Sequence, residues 1–266
     1  MQPGSPQRHA PHGPRGRRAA PPVASDRALC LRRVPYGDSS LVVELLTEQH
    51  GRVSLLARGA YRLTSRFAGV LDLFHRLELT WRPGGPGALG LLIAGDTERS
   101  RRAVPRSLSA YRAGLSALEL AELCSRSGQP EPGLFRLLDG TLEALEYGVD
   151  PEAELLRFDL CCLAEIGLAP ALRRCAACGR RASPAADERA PAWFDPAAGG
   201  RLCPDCRRRS DGALPTRAIW LERLAGLGED QAHVRGAFPG LAEARSLLER
   251  LLERQLESPL RARGRR

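Results

Sequence analysis

Four cysteines carry the sharpest chemical signal in the chain. Cys175-Ala-Ala-Cys178 is followed by 24 residues and then by Cys203-Pro-Asp-Cys206. Two C-x-x-C knuckles are the ligand spacing of a structural zinc site, each pair filling two corners of a tetrahedron. Four thiolates leave no open coordination position, so the pattern predicts a structural metal and not a catalytic one. Gly179 follows the first knuckle, where the backbone must turn toward sulfur. A dithiol redox motif needs one C-x-x-C in a thioredoxin-like setting that is absent here. Disulfides need an oxidising compartment, and the N-terminus has no apolar signal segment leading to one. Cys30, Cys124, Cys161 and Cys162 lack a second knuckle and read as core packing.

The second signal is a basic ribbon. From Gln49 to Leu71 there is no acidic residue, while Arg52, Arg58, Arg62 and Arg66 recur. Gly59 and Gly69 would let the backbone approach a ligand closely. These arginines are the candidate contacts to nucleic-acid phosphates. Tyr61 and Phe67 either stack on bases, or Phe67 belongs to the core and the arginines merely solvate a loop.

Other chemistries are excluded by residue type. All 40 basic residues are arginine, so neither a P-loop lysine nor a Schiff-base amine exists. A zinc deaminase needs H-x-E and P-C-x-x-C; Arg76-Leu77 follows His75 and Leu202 precedes Cys203. The histidines, at 9, 12, 50, 75 and 233, have no metal or triad spacing. No catalytic constellation emerges, and the chain does not read as an enzyme.

These groups must be positioned by something, and the periodicity says what. Runs at 28–34, 41–47, 52–58, 70–81 and 88–94 read as five short strands, separated by Gly and Pro turns. That density fits a small barrel. Beyond residue 103 the apolar period becomes helical, over 107–125, 133–147 and from Asp150-Pro151 to Gly167. A short helix opens at Leu214-Pro215-Thr216, and a last one covers 241–256. The expected fold is α+β: a five-stranded barrel over 26–103, then a helical domain over 104–258 carrying the zinc segment 172–210. Residues 1–25 and 259–266 read as basic tails, the first disordered. The formal net charge of +9 resides mostly in those tails. Within the body, 26–103 has 12 Arg against 8 acids and 172–210 has 9 against 4, whereas 104–171 has 5 against 11. Two basic modules thus flank an acidic helical stretch.

The sequence resembles the RecO family of recombination mediators. The resemblance rests on the opening strand, Tyr36-Gly37-Asp38-Ser39-Ser40, Thr47-Glu48 with Gly51-Arg52-Val53, Ala57-Arg58-Gly59-Ala60 and Ser65-Arg66, followed by a helical half with a zinc insert. It implies an OB-fold that binds single- and double-stranded DNA, with Arg52, Arg58, Arg62 and Arg66 in the DNA-contacting stretch. It also implies strand annealing, cooperation with RecR in loading RecA, and contact with the acidic C-terminal tail of single-stranded-DNA-binding protein. A cytoplasmic, nucleoid-associated protein is implied as well. Asp38 stands where many relatives carry Glu, and Tyr61 where a basic residue is frequent. Two other classes fit the same charges: an RNA-binding zinc protein of translation or ribosome assembly, and a zinc-stabilised adaptor whose basic face meets an acidic protein tail.

Overall fold

The computed structural model describes residues 22–62, 64–85, 87–229 and 239–263. Its first half is a closed barrel of β1 (Ala24–Tyr36), β2 (Ser40–Thr47), β3 (Gly51–Ala57), β4 (Arg76–Arg82) and β5 (Gly90–Arg99), in the order β1-β2-β3-β5-β4. All neighbours are antiparallel except β3 and β5, which pair in parallel through Leu55–Gly90 and Leu56–Leu91. Strand alternation explains the closure. Ala28, Cys30, Val43, Leu45, Leu55, Leu77, Leu79, Trp81 and Leu92 fill the barrel interior. This is the OB-type architecture expected from the sequence.

The strand expected over 70–81 is shorter. Residues 67–75 form turns, and β4 begins only at Arg76. The cause is Phe74, whose φ of 72° lies in the left-handed region. Strain of that kind in a bulky residue persists only where packing over-determines it. Phe74 is buried against the first helix, α1 (Leu108–Cys124), and meets Tyr111 edge-on at 5.6 Å. A Cβ at Gly114 would stand 2.7 Å from the Phe74 ring, so the glycine makes the socket.

The second half is built on α1, α2 (Pro132–Glu146) and α3 (Pro151–Glu165), with α5 (Ala218–Glu229) and α6 (Leu241–Leu256) packed on α3. The leucine stripe of α2, Leu134, Leu138, Leu142 and Leu145, is buried as its spacing predicts. Leu214–Arg217 forms a strand, β8, where the sequence suggests a helix start, and α5 follows it at Ala218. Helix α3 is buried nearly all round, including Glu154, Arg157 and Asp159. Arg157 bonds Glu154 at 2.7 Å and Thr141 at 3.1 Å. Asp159 is gripped by both terminal nitrogens of Arg263, at 2.7 and 2.6 Å.

That last pair corrects the tails. Residues 1–21 and 264–266 lie outside the described residues, and Ala24 and Ser25 already belong to β1. The basic segment expected to trail from residue 259 is docked: Leu260 is buried, and Glu119 accepts the backbone N–H groups of Arg261 and Ala262 at 2.7 and 2.9 Å. Arg263 is therefore a structural cation here.

The barrel interior and the helical core are separate clusters that meet at the barrel's outer face. Leu29, Leu31 and Leu46, on the outer face of β1 and β2, join the α1–α3 cluster. A backbone splice reinforces it: Arg52 N–H donates to the Arg126 carbonyl at 3.2 Å, and Gly128 N–H donates to the Arg52 carbonyl at 3.0 Å. Gly51 makes the splice possible, because its φ is 69° and a Cβ there would overlap the Gln129 backbone. Gly51→Ala is expected to cost about 1–2 kcal/mol from backbone conformation, with the Cβ overlap on the Gln129 backbone adding to it. A fall in melting temperature of roughly 4 °C or more by calorimetry checks this; an unchanged melting temperature would refute it.

Candidate nucleic-acid interface and metal centre

The basic ribbon runs along β3 and the loop after it, and the structure divides its four arginines. Arg52 is half-buried; its side chain donates to the Glu122 carbonyl at 3.3 Å, at the α1 junction. Arg58, Arg62 and Arg66 are exposed. Arg62 lays its aliphatic stem over Gly59, where φ is 68°. Arg66 sits 5.1 Å from the centroid of Phe67. Among the described residues none of these three is in an ion pair. Phe67 resolves the open alternative for itself: at 4% exposure it belongs to the barrel core. Tyr61 is 57% exposed. The loop is pinned to the β1–β2 turn, since Tyr61 N–H donates to the Ser39 carbonyl at 3.0 Å and Gly59 N–H to the Ser40 hydroxyl at 3.4 Å.

Six of the other eight arginines in 26–103 serve internal contacts. Arg27 pairs with Glu48, Arg32 with Glu122 and Arg33 with Asp72. Arg76, Arg99 and Arg101 turn to α2, where Asp139 and Glu143 receive them. Arg101 is fully buried. It donates to Asp139 at 2.6 Å, to Glu143 at 3.1 Å and to the Phe74 carbonyl at 2.9 Å. The excess of positive charge counted over 26–103 is thus partly the complement of the acidic helices beside it. Adjacent modules of opposite sign were the available signal, but sequence spacing alone could not pair them.

The four knuckle cysteines converge as their spacing predicts. Cys175, Cys178, Cys203 and Cys206 place their sulfurs within 4.8 Å of one another, close enough to hold a metal ion. Strands β6 (Pro191–Asp195) and β7 (Gly200–Leu202) lie in the gap between the knuckles and form a sheet with β8, in the order β7-β6-β8. Cys203 caps α4 (Pro204–Arg207), and the Gly179 turn, with φ of 72°, lets its N–H reach the Cys175 carbonyl at 2.8 Å. Burial opposes ionisation of Cys175, but N–H groups of Cys203, Cys178 and Ala177 outweigh it and bring the thiol down to about 6. The Cys206 N–H pulls Cys203 down as well. Cys206 is pushed up to about 12, chiefly by the bond it shares with Cys203 and then by burial. Backbone donors thus favour thiolates at one corner of each knuckle.

Residues 23–101 match the family model "Recombination protein O N terminal", and residues 105–264 match "Recombination protein O C terminal". The DNA repair protein RecO of Anaeromyxobacter sp. (strain K) is 37% identical over 238 residues, covering 88% of this chain and 91% of that protein. The one from Myxococcus xanthus (strain DK1622) is 34% identical over 241 residues, covering 89% and 94%. That of Nocardioides sp. (strain ATCC BAA-499 / JS614) is 31% identical over 240 residues, covering 89% and 96%. With a barrel and a helical half that each match their own family model in the same order, the chain belongs to the RecO family of DNA repair and recombination proteins.

Proposed function

We propose that this protein is a recombination mediator that binds single- and double-stranded DNA through its barrel. It anneals complementary strands and, with RecR, assists RecA loading on DNA coated by single-stranded-DNA-binding protein. The observation that supports this best is the trio Arg58, Arg62 and Arg66: exposed, without carboxylate partners among the described residues, and on an acid-free loop. Arg52 is the least exposed of the four and contributes from the junction. Neutralising phosphates on two strands lowers their mutual repulsion, so pairing can nucleate without nucleotide hydrolysis. The acidic tail of single-stranded-DNA-binding protein is the partner proposed for the helical half. The cysteine cluster is proposed as a structural zinc site. Zn–S bonds of about 2.3 Å put tetrahedral sulfurs about 3.8 Å apart, and Cys178 and Cys203 stand 3.8 Å apart here.

The deciding experiment is annealing of complementary labelled oligonucleotides coated by single-stranded-DNA-binding protein, across a range of salt. Acceleration by the wild type is expected, and its absence at every salt would contradict the assignment. A matched RNA competitor that binds better than DNA would favour the translation reading. Converting Arg58, Arg62 and Arg66 to Ala is expected to flatten the salt dependence of single-strand binding by about 2 in log–log slope. An unchanged slope in fluorescence anisotropy would remove these residues from the interface.

A further inference from the structure

The chain has four tyrosines. Two have contacts that account for them: Tyr111 stacks edge-on with Phe74, and Tyr147 accepts a bond from Arg99, whose guanidinium lies 5.9 Å from its ring centroid. The other two, Tyr36 and Tyr61, are 58% and 57% exposed, and among the described residues neither ring nor hydroxyl has a partner. They belong to one rim of the barrel. Tyr36 pairs across β1–β2 with Ser40, whose hydroxyl receives the Gly59 N–H, while the Tyr61 N–H holds the Ser39 carbonyl. Backbone bonds thus lock the two aromatic positions onto adjoining turns. Val34, also exposed, precedes them on β1.

Charge on this rim is sorted. Arg58 and Arg62 bracket Tyr61 along the loop, whereas the turn joining Tyr36 to Ser40 carries Asp38, an exposed carboxylate. A phosphate would be repelled beside Asp38 and attracted beside the arginines. An unpaired base has no net charge and a π-face, so it is tolerated where the phosphate is not. We infer that Tyr36 and Tyr61 form a stacking shelf for unpaired bases, with the sugar–phosphate backbone running on the Arg58–Arg62 side. The inference rests on the proposed DNA-binding reading and deepens it. The same barrel rim reads the exposed base faces of a single strand in addition to its phosphates, which a duplex cannot offer.

The test compares two probes of equal length and charge, an oligothymidylate and an abasic phosphodiester strand, against the full chain. The wild type is expected to bind the base-bearing strand at least about tenfold more tightly, since stacking contributes of order 1–3 kcal/mol per base. The variant Tyr36→Ala/Tyr61→Ala should bind both probes alike, at the wild-type affinity for the abasic strand, while Tyr36→Phe/Tyr61→Phe keeps the preference. Both positions are exposed, so an unchanged melting temperature certifies the fold. Equal binding of the two probes by the wild type, or a preference that survives the double alanine change, overturns the shelf and leaves the arginine interface standing. Binding of neither probe overturns the DNA-binding reading itself and the shelf with it.

Discussion

Replacing Cys175 and Cys178 together by Ser should abolish stoichiometric zinc and unfold the two knuckles and the turns around them, while the barrel, α1–α3 and the residues of β6 held in the main core remain. The reason is the size of the segment's own core. Only Cys175, Leu202 and Cys206 form its buried cluster, with Trp193, Ala176, Cys203 and Ala213 partly buried around them. So little apolar area cannot offset the ordering of the knuckles and their turns. A structural zinc bound by four thiolates supplies free energy on the order of 10 kcal/mol. The readouts are zinc content by elemental analysis, Trp193 fluorescence, and limited proteolysis. Cleavage confined to the segment is the expected result after mutation or chelation. A purified wild-type protein without bound zinc, or a segment that stays resistant after chelation, would exclude the metal role. Leu172, Ala192 and Phe194 anchor the segment to the main core, which is why damage should stay local.

Arg101→Met should be the most damaging single change outside the cysteine cluster. Removing one partner of a buried ionic cluster typically costs about 3–5 kcal/mol, or a melting-temperature drop of roughly 10 °C for a chain of this size. Here it leaves Asp139 and Glu143 with only the less buried Arg76 and Arg99 as cationic partners and orphans the Phe74 carbonyl. Phe74 is the strained residue, so losing that bond loosens the barrel's seat on α1. A drop below about 2 °C would refute the joint's importance.

The same joint sets a pH dependence whose sign can be worked out. Buried His75 accepts the Arg101 N–H through Nδ1 at 3.0 Å, and desolvation holds its pKa below 6.5. The unfolded chain takes up that proton first as pH falls. The His75 contribution is therefore present above about pH 6.5 and lost below it. Glu143 follows at lower pH. Burial alone would raise its carboxyl, but Arg99 and Arg101 hold it below its usual 4.5, so its contribution fades as pH drops through that value. Melting curves between pH 7.5 and 5.5 should decline for the wild type and flatten for His75→Asn. Equal slopes would show that His75 is not the sensor.

The barrel, the α2 stripe and the four-cysteine cluster were legible because each follows from local period or spacing. Val43, Leu45, Leu55, Leu77 and Leu79 alternate as barrel strands must, and the two knuckles carry their geometry in their own spacing. The allocation of the arginines was not legible. Arg52 and Arg58 look alike in sequence, yet a splice to residues 126–128 draws one into the joint and leaves the other free. Arg101 and Arg263 read as surface charges because their partners lie 38 and 104 residues away. In the 70–81 run Phe74 and His75 interrupt the alternation of Leu71, Leu73, Leu77 and Leu79, but only Gly114, on another element, explains why.

Asp159 and its clamp impose an order on biosynthesis. The carboxylate is translated 104 residues before the guanidinium that neutralises it. Until Arg263 has emerged from the ribosome, α3 cannot close with Asp159 charged, so the nascent helical half must stay open at that helix or keep the acid protonated. Final consolidation is thereby tied to a residue that arrives after both the barrel and the cysteine knuckles have been made.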